Sequence, residues 1–180
     1  MYPKILTNMR SWKLSQIQIL VAIGLLSACG SYDFTLNDKL VKRSKQLFTD
    51  YKIDDKRLRR CIKQAIIDNN ISQASELEDL NCSYAGIISI NGLERFSHLK
   101  RIKLSHNKIS NINTIKTLNK LEVLHMSHNN ILDYLPVLNL VQLQELDVSH
   151  NPNLKCPRKL QLKSIKKMIL PKHCAKRIGL

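Results

Sequence analysis

The amino-acid sequence predicts an α/β solenoid with a short parallel sheet on its concave face, a helical N-terminal cap and a degenerate repeat as the C-terminal cap. Three observations predict it. A pattern of apolar residues and asparagine recurs every 22 residues through the middle of the chain. Within each copy two apolar residues alternate with polar ones, as in a strand with one buried face. An apolar stripe with helical spacing precedes the first copy.

The composition indicates a folded chain with a marked positive charge. Its 180 residues suffice for one domain of ordinary size and a tail. Hydrophobic residues make up 43% and charged residues 24%, which excludes a disordered chain. The 29 Lys and Arg against 14 Asp and Glu give a net charge of +15, which favours an anionic neighbour such as lipid headgroups, nucleic acid or an acidic protein.

The N-terminal segment has the order of a secretory signal. Lys4, Arg10 and Lys13 precede an apolar run at residues 17–26. A bilayer-spanning helix needs ~20 apolar residues, so this run is too short to span. It ends in Leu-Ser-Ala-Cys, with the cysteine at position 29, and this motif resembles the lipobox of bacterial lipoproteins.

This resemblance implies that Cys29 receives lipid and becomes the N-terminus after cleavage. Residues 1–28 are then a lipoprotein signal peptide, and residues 29–52 a lipidated tether. Gly30, by analogy with lipoprotein sorting, favours the outer membrane. The alternative is an ordinary cleaved signal with a bystander cysteine, and translation from Met9 would preserve the signal in either case.

Residues 77–154 are predicted to form the repeats. The pattern Leu-x-x-apolar-x-apolar-Ser-His-Asn begins at Leu99, Leu121 and Leu143, and a weaker opening copy begins at Leu77. Because one such coil cannot bury its own apolar face, successive coils must stack. Like residues then align in columns, and a column of asparagines can donate to and accept from the backbone of adjacent coils. These asparagines are Asn107, Asn129 and Asn151.

The repeats resemble the leucine-rich repeat family, in the short 22-residue class found in internalin-like proteins. The resemblance covers about Leu77 to Pro171. It implies a parallel sheet whose open face binds partners. The candidate face comprises Asp79, Asn81, Arg101, Lys103, Val123, His125, Glu145 and Asp147.

Distinct caps are expected because a solenoid exposes an apolar end at each terminus. Residues 53–76 are the predicted N-terminal helical cap, with Asp54 or Asp55 near the helix start. Residues 155–180 are the predicted C-terminal cap with a degenerate repeat. The helical stripe is Leu58, Cys61, Ile62, Ala65 and Ile66; the degenerate repeat retains Ile165, Met168 and Leu170.

Four cysteines remain once Cys29 carries lipid, and an even number in an exported protein predicts two disulfides. Four cysteines allow three pairings. We favour Cys61–Cys82 and Cys156–Cys174, because each of these bonds is local to one end of the solenoid. The alternative is four buried thiols.

The positive charge lies in the caps. Residues 38–63 contain ten Lys and Arg against four Asp, and residues 155–177 contain nine and no acid. Residues 76–154 contain seven basic and eight acidic residues. The caps are either solvated or in contact with anionic lipid, lipopolysaccharide or cell-wall polymer. Nucleic acid is not an expected partner of an exported lipoprotein.

Two arrangements invite a chemical interpretation. His125 and Asp147 lie near a serine, Ser127 or Ser149, but an open sheet offers no oxyanion hole or pocket. A histidine column would suit zinc, although Ser-His-Asn is a common filler after the strand in this repeat family. That column is His106, His128 and His150. We therefore predict no catalytic residue, no metal site and no cofactor.

The predicted function is a non-enzymatic binding module for a protein or peptide, displayed on the bacterial envelope. The mixed columns of the open face suit a polar partner, and an unselected solvent surface would have the same composition. The alternative is an envelope-structural lipoprotein that contacts anionic cell-wall polymer or lipopolysaccharide through its basic caps.

Overall fold

A computed structural model describes residues 35–36, 39–40, 45–156 and 165–178. The chain divides into two compact units, residues 1–44 and residues 45–180. In the first unit β1 (Thr35–Leu36) pairs with β2 (Lys39–Leu40) in antiparallel fashion. The predicted signal peptide and Cys29 lie outside the described residues. The features below all belong to the second unit.

Five short strands of the second unit form a parallel sheet in chain order, among the residues that the structure describes. They are β3 (Asp79–Asn81), β4 (Arg101–Lys103), β5 (Val123–His125), β6 (Glu145–Asp147) and β7 (Lys167–Ile169). Residues that are 22 positions apart are partners throughout, for example Leu124 and Leu146. The parallel sheet is therefore confirmed, and the degenerate copy provides its fifth strand.

The core lies between this sheet and the return segments. The central residue of each of the first four strands is buried, whereas its two neighbours lie on the open face. The return segments contain 3₁₀ helices at Ala74–Glu76, Leu93–Arg95, Asn113–Thr117 and Leu135–Asn139. Apolar residues at steps of three fill these segments, as expected for 3₁₀ geometry. In the second copy they are Ile109, Ile112, Ile115 and Leu118, all buried.

A column of buried asparagines joins the coils. The Asn129 side-chain amide donates to the Leu104 carbonyl at 2.9 Å and to the Met126 carbonyl at 3.1 Å. Its oxygen accepts from the Ile109 amide at 3.0 Å. Each such residue therefore bonds its own coil and the preceding coil. Asn107 and Asn151 repeat these bonds one coil earlier and one coil later.

The N-terminal cap is the helix α1 (Lys56–Asp68), which buries Leu58, Ile62 and Ile66. Asp55 is its N-cap: Oδ1 accepts from two amides of the first turn at 2.8 and 3.1 Å. We number the coils from the copy that begins at Leu77. Oδ2 accepts from the amides of two residues in this first coil, Ile88 and Ser89, at 2.8 and 3.1 Å. One carboxylate therefore connects the start of the helix to the solenoid.

The segment that precedes the N-terminal cap packs on the repeats. Residues 45–52 belong to the same compact unit as the repeats. Phe48 and Tyr51 pack against Phe96, with ring centroids 6.0 and 5.6 Å apart. Besides these ring contacts, the Phe48 amide donates to the Ile71 carbonyl at 2.8 Å, and ion pairs link the segment to Glu76 and Arg95.

Disulfide bonds close both ends, with the pairing that the sequence favours. Cys61–Cys82 joins α1 to the residue after β3, with Cα atoms 5.9 Å apart. Cys156–Cys174 joins the fourth coil to the helix α2 (Lys172–Ile178), with Cα atoms 5.0 Å apart. Neither helix, nor any other in the described residues, is long and apolar enough to cross a bilayer.

Candidate partner-binding face

The open face of the sheet brings together all eight residues of the candidate binding face. Successive strands align Asp79, Arg101, Val123, Glu145 and Lys167 in one column. The second column is Asn81, Lys103, His125, Asp147 and Ile169. The side chains of the first two strands are exposed, and those of the next two are half-buried.

Ion pairs occupy the two ends of the first column. Arg101 pairs with Asp79 at the N-terminal end. At the other end Glu145 Oε1 contacts Lys167 Nζ at 2.6 Å and His125 Nε2 at 2.9 Å. The hydrogen bond from Lys167, and after it the one from His125, holds the pKa of the Glu145 carboxyl below its usual range. Glu145 therefore carries a negative charge at neutral pH.

Two side chains of the face, on neighbouring strands, take no part in these ion pairs. Lys103 is exposed and has no bonded partner within the described residues, and the half-buried Val123 contributes apolar surface beside it. Asp147 is less available, because its Oδ1 accepts from the Ser149 amide at 3.0 Å and from the Ser149 hydroxyl at 2.7 Å. The free cation thus lies on β4, and the apolar Val123 lies on the next strand, β5.

A cleft of about 340 Å³ borders the N-terminal end of this face. The end of α1 contributes Asp68 and Asn69 to its lining, and the strands contribute Asn81, Arg101 and Lys103. The volume is in the range of ~300–1,000 Å³ typical of ligand pockets. Because its lining carries both signs of charge, the cleft suits a polar segment rather than an apolar ligand.

The contacts of His125 and Asp147 differ from those of a hydrolytic triad. His125 contacts Glu145, and Asp147 accepts from Ser149. Ser127 donates to Ser105 at 3.0 Å. In a triad one histidine must contact both the nucleophile and an orienting acid. The structure brings these residues near one another without connecting them in that order.

A group of potential metal ligands lies in the C-terminal cap. Among the described residues, Cys156, His173 and Cys174 have ligand atoms within 4.8 Å of one another. The two sulfur atoms form a disulfide, and His173 Nε2 lies 3.0 Å from the Leu154 carbonyl oxygen. In the disulfide-bonded protein the cysteines are therefore not thiolate ligands.

The histidine column forms a stack of rings that the sequence analysis did not anticipate. His106, His128 and His150 lie face to face, with ring centroids 4.1 and 4.0 Å apart. Tyr84 extends the stack and lies 4.1 Å from the His106 ring. All four residues have left-handed backbones, with φ between 54° and 59°. The 22-residue step from His106 back to Tyr84 could have revealed this extension.

Stacking opposes protonation of the central ring. Desolvation lowers the pKa of His128, and the neighbouring His150 and His106 lower it further. The charge of Asp147 raises the pKa of His128, but this effect is smaller than the lowering by desolvation and the two histidines. A neutral His128 therefore prevails in the folded protein over a wider pH range than in an unfolded chain.

We predict that His128→Gln reduces the loss of stability on acidification. Because the folded pKa is below the unfolded value of ~6.5, the unfolded chain binds more protons between the two values. Stability is thus fully present above the unfolded pKa and falls as the pH decreases below it. Urea unfolding at a series of pH values measures this slope. Asn130→Gln, an exposed substitution that removes no titrating group, is the control and retains the wild-type slope. An unchanged slope in His128→Gln would contradict the contribution of the ring stack.

Comparisons with known proteins agree with this architecture. The family model described as Leucine Rich Repeat matches residues 120–139. No curated protein matches the chain. Internalin C2 from Listeria monocytogenes, a solved structure, has a TM-score of 0.50 and 17% identity, and the match covers 64% of each chain.

Two further solved structures from Listeria monocytogenes share the similarity. An internalin, InlF, has a TM-score of 0.48 and 19% identity over 66% of this chain and 44% of that one. The functional domain of InlJ has a TM-score of 0.41 and 19% identity over 54% and 22%. The match thus covers less than two thirds of the length of each of these proteins. With its parallel sheet of 22-residue coils, the chain has the leucine-rich repeat fold.

Proposed function

We propose that this chain is a non-enzymatic module that binds a protein or peptide on the open face of its sheet. The observation that carries the proposal is the face itself, where Lys103 on β4, unpaired within the described residues, lines a mixed-charge cleft and the apolar Val123 lies on the next strand. Stacked repeats present extended surfaces of this kind to macromolecular partners. Leucine-rich repeat proteins generally bind other proteins.

The charge pattern defines the chemistry of the partner. Asp79, Arg101, Glu145 and Lys167 are already paired within the face. The unpaired cation therefore selects a carboxylate or a carbonyl-rich segment of the partner, and the surrounding pairs exclude a partner with a large charge of either sign. A polar peptide segment with one acidic residue fits these requirements.

We also propose that the module is anchored by lipid at Cys29 in the bacterial envelope, in the outer membrane. The support is the lipobox-like sequence at the end of a short apolar run and the glycine that follows it. Several acyl chains on one residue would give stable attachment, since a single chain binds a membrane only marginally.

A second candidate function is contact with anionic cell-wall polymer or lipopolysaccharide through the basic caps. A specific observation favours it: α1 presents exposed cations that form no ion pair within the described residues. They are Lys56, Arg57, Arg59, Arg60 and Lys63. Such an interaction would be electrostatic and would weaken steeply with salt.

We predict that Lys103→Glu abolishes capture of the partner by the soluble domain from an envelope extract. The charge reversal would place an anion opposite the partner's carboxylate, and like charges across an interface strongly disfavour association. The matched control is Lys116→Glu, an equally exposed lysine on the return segment Asn113–Thr117. Capture is quantified at ~0.15 M salt, where the Debye length is ~8 Å and the charge reversal still acts, and again at ~1 M salt, where it is ~3 Å, to identify salt-resistant protein.

Two results would contradict the proposed face. One is equal loss of captured protein in Lys103→Glu and Lys116→Glu. The other is the absence of any salt-resistant protein, together with a salt-sensitive polymer on the wild-type domain, which would favour the basic caps of the second candidate. Stability of both variants is checked by urea unfolding, in which surface substitutions change the free energy by less than ~0.5 kcal/mol.

We predict that Cys29→Ser leaves the protein without lipid and releases it from the membrane fraction. The thiol is the proposed acceptor of the lipid, and a hydroxyl does not replace it. Metabolic labelling with palmitate and fractionation of cells measure both effects, and Ser31→Ala serves as the control that retains lipid. A Cys29→Ser protein that remains labelled and membrane-bound would refute the anchor.

A further inference from the structure

The ring stack formed by Tyr84, His106, His128 and His150 stops before the last coil. Its members recur at 22-residue steps and lie 4.0–4.1 Å apart. The next position in this series is Lys172, the first residue of α2, so this step of the series has a lysine in place of a ring. His150 is exposed and has a stacked ring on one side only, among the described residues.

The backbone also separates at this point. In each earlier coil, the amide of the ring residue donates to a carbonyl of the next coil at 2.9–3.0 Å. These bonds join Tyr84 to Ser105, His106 to Ser127 and His128 to Ser149. Within the described residues no such bond follows at His150, because the Pro171 carbonyl instead accepts from Cys174 and Ala175 at the start of α2. The last two coils are therefore not joined at the position of the missing ring.

A cleft of about 380 Å³ occupies this position. His150 and Pro152 line it from the fourth coil. Leu170, Pro171 and Lys172 line it from the fifth coil, which is the degenerate repeat. Leu170 and Pro171 are buried, so one wall is apolar and fixed, whereas Lys172 is exposed. The cleft combines the His150 ring, proline and leucine surfaces, the Lys172 cation and the His173 side chain, whose Nε2 lies 3.0 Å from the Leu154 carbonyl oxygen.

We propose that this cleft binds an aromatic side chain of a partner protein, with its ring stacked on His150 as the fifth member of the column. The four existing members show that this repeat geometry brings flat rings into face-to-face contact. Aromatic rings gain from stacked contacts and from apolar walls. Lys172 provides a cation that would further favour an electron-rich indole or phenol ring.

The cleft adjoins the candidate binding face, which is why a side chain of the partner is its occupant. Ser149 lines the cleft, and its amide and hydroxyl bond to Asp147 on the open face. A partner on that face could thus extend one aromatic side chain past Asp147 onto His150. This assignment of the occupant rests on the proposed function, whereas binding of the ring itself can be tested without the partner.

The test is a nuclear magnetic resonance titration of the disulfide-bonded protein with labelled histidines, using N-acetyl-tryptophanamide as the probe. We expect saturable upfield ring-current shifts of the His150 ring protons, larger than those of His106, which is enclosed by Tyr84 and His128. N-acetyl-leucinamide, which has the same blocked backbone and no ring, should cause no such shift.

Two variants separate stacking from a general change in the cap. His150→Leu removes the flat ring and should weaken binding of the probe about threefold to tenfold. His150→Tyr restores a ring at a left-handed position that tyrosine tolerates, as Tyr84 demonstrates, and should bind within about twofold of the wild type. Affinities for the variants are read from the shifts of backbone amides that line the cleft.

Three results would overturn the proposal. They are the absence of a saturable shift at His150, equal shifts at His150 and the distant His98, and undiminished affinity in His150→Leu. Free indole serves as a second probe. If indole binds saturably and N-acetyl-tryptophanamide does not bind, the assignment of the occupant to a protein side chain is overturned. Loss of partner capture in Lys103→Glu together with failure of this titration would refute the ring site and leave the proposed function intact.

Discussion

A buried asparagine amide that bonds the backbone of two coils is the interaction on which the rest of this structure depends. The turn after each strand leaves carbonyl and amide groups inside the protein, where an unpaired polar group costs ~1–3 kcal/mol. Asn129 satisfies such groups in its own coil and in the coil before it. A shorter or apolar side chain cannot reach these groups, so the turn and the stacking of the coils are specified together.

The fixed 22-residue step has consequences on both sides of this turn. On the strand side it aligns outward residues in columns, which places the ion pairs of Glu145 and the unpaired Lys103 on one surface. Immediately before Asn107 and Asn129, a left-handed histidine holds its ring over the ring of the next coil. The proposed binding face and the ring stack therefore derive from the same register, and they meet at Asp147 and Ser149.

The sequence was sufficient for the features that the period determines: the parallel sheet, its columns and the asparagine bonds. The bonds that close the two ends also follow the pairing that sequence distance favours, Cys61–Cys82 and Cys156–Cys174. The sequence was not sufficient to predict contacts that do not follow the 22-residue repeat. Phe48 and Tyr51 pack on Phe96 through ring contacts that follow no repeat. His125 contacts Glu145 and not Asp147, and this depends on side-chain rotamers. The extension of the ring stack was missed because tyrosine replaces histidine at that step.

The most direct test of this account compares the free energies of unfolding of Asn129→Ala and Asn130→Ala by urea denaturation. Both substitutions remove the same group from adjacent positions, but Asn129 is buried and bonded whereas Asn130 is exposed. We expect Asn129→Ala to lower the free energy of unfolding by more than ~2 kcal/mol, because buried groups of two coils lose their hydrogen-bond partner. We expect Asn130→Ala to change it by less than ~0.5 kcal/mol. Equal and small losses in the two variants would contradict the claim that the asparagine column holds the coils together.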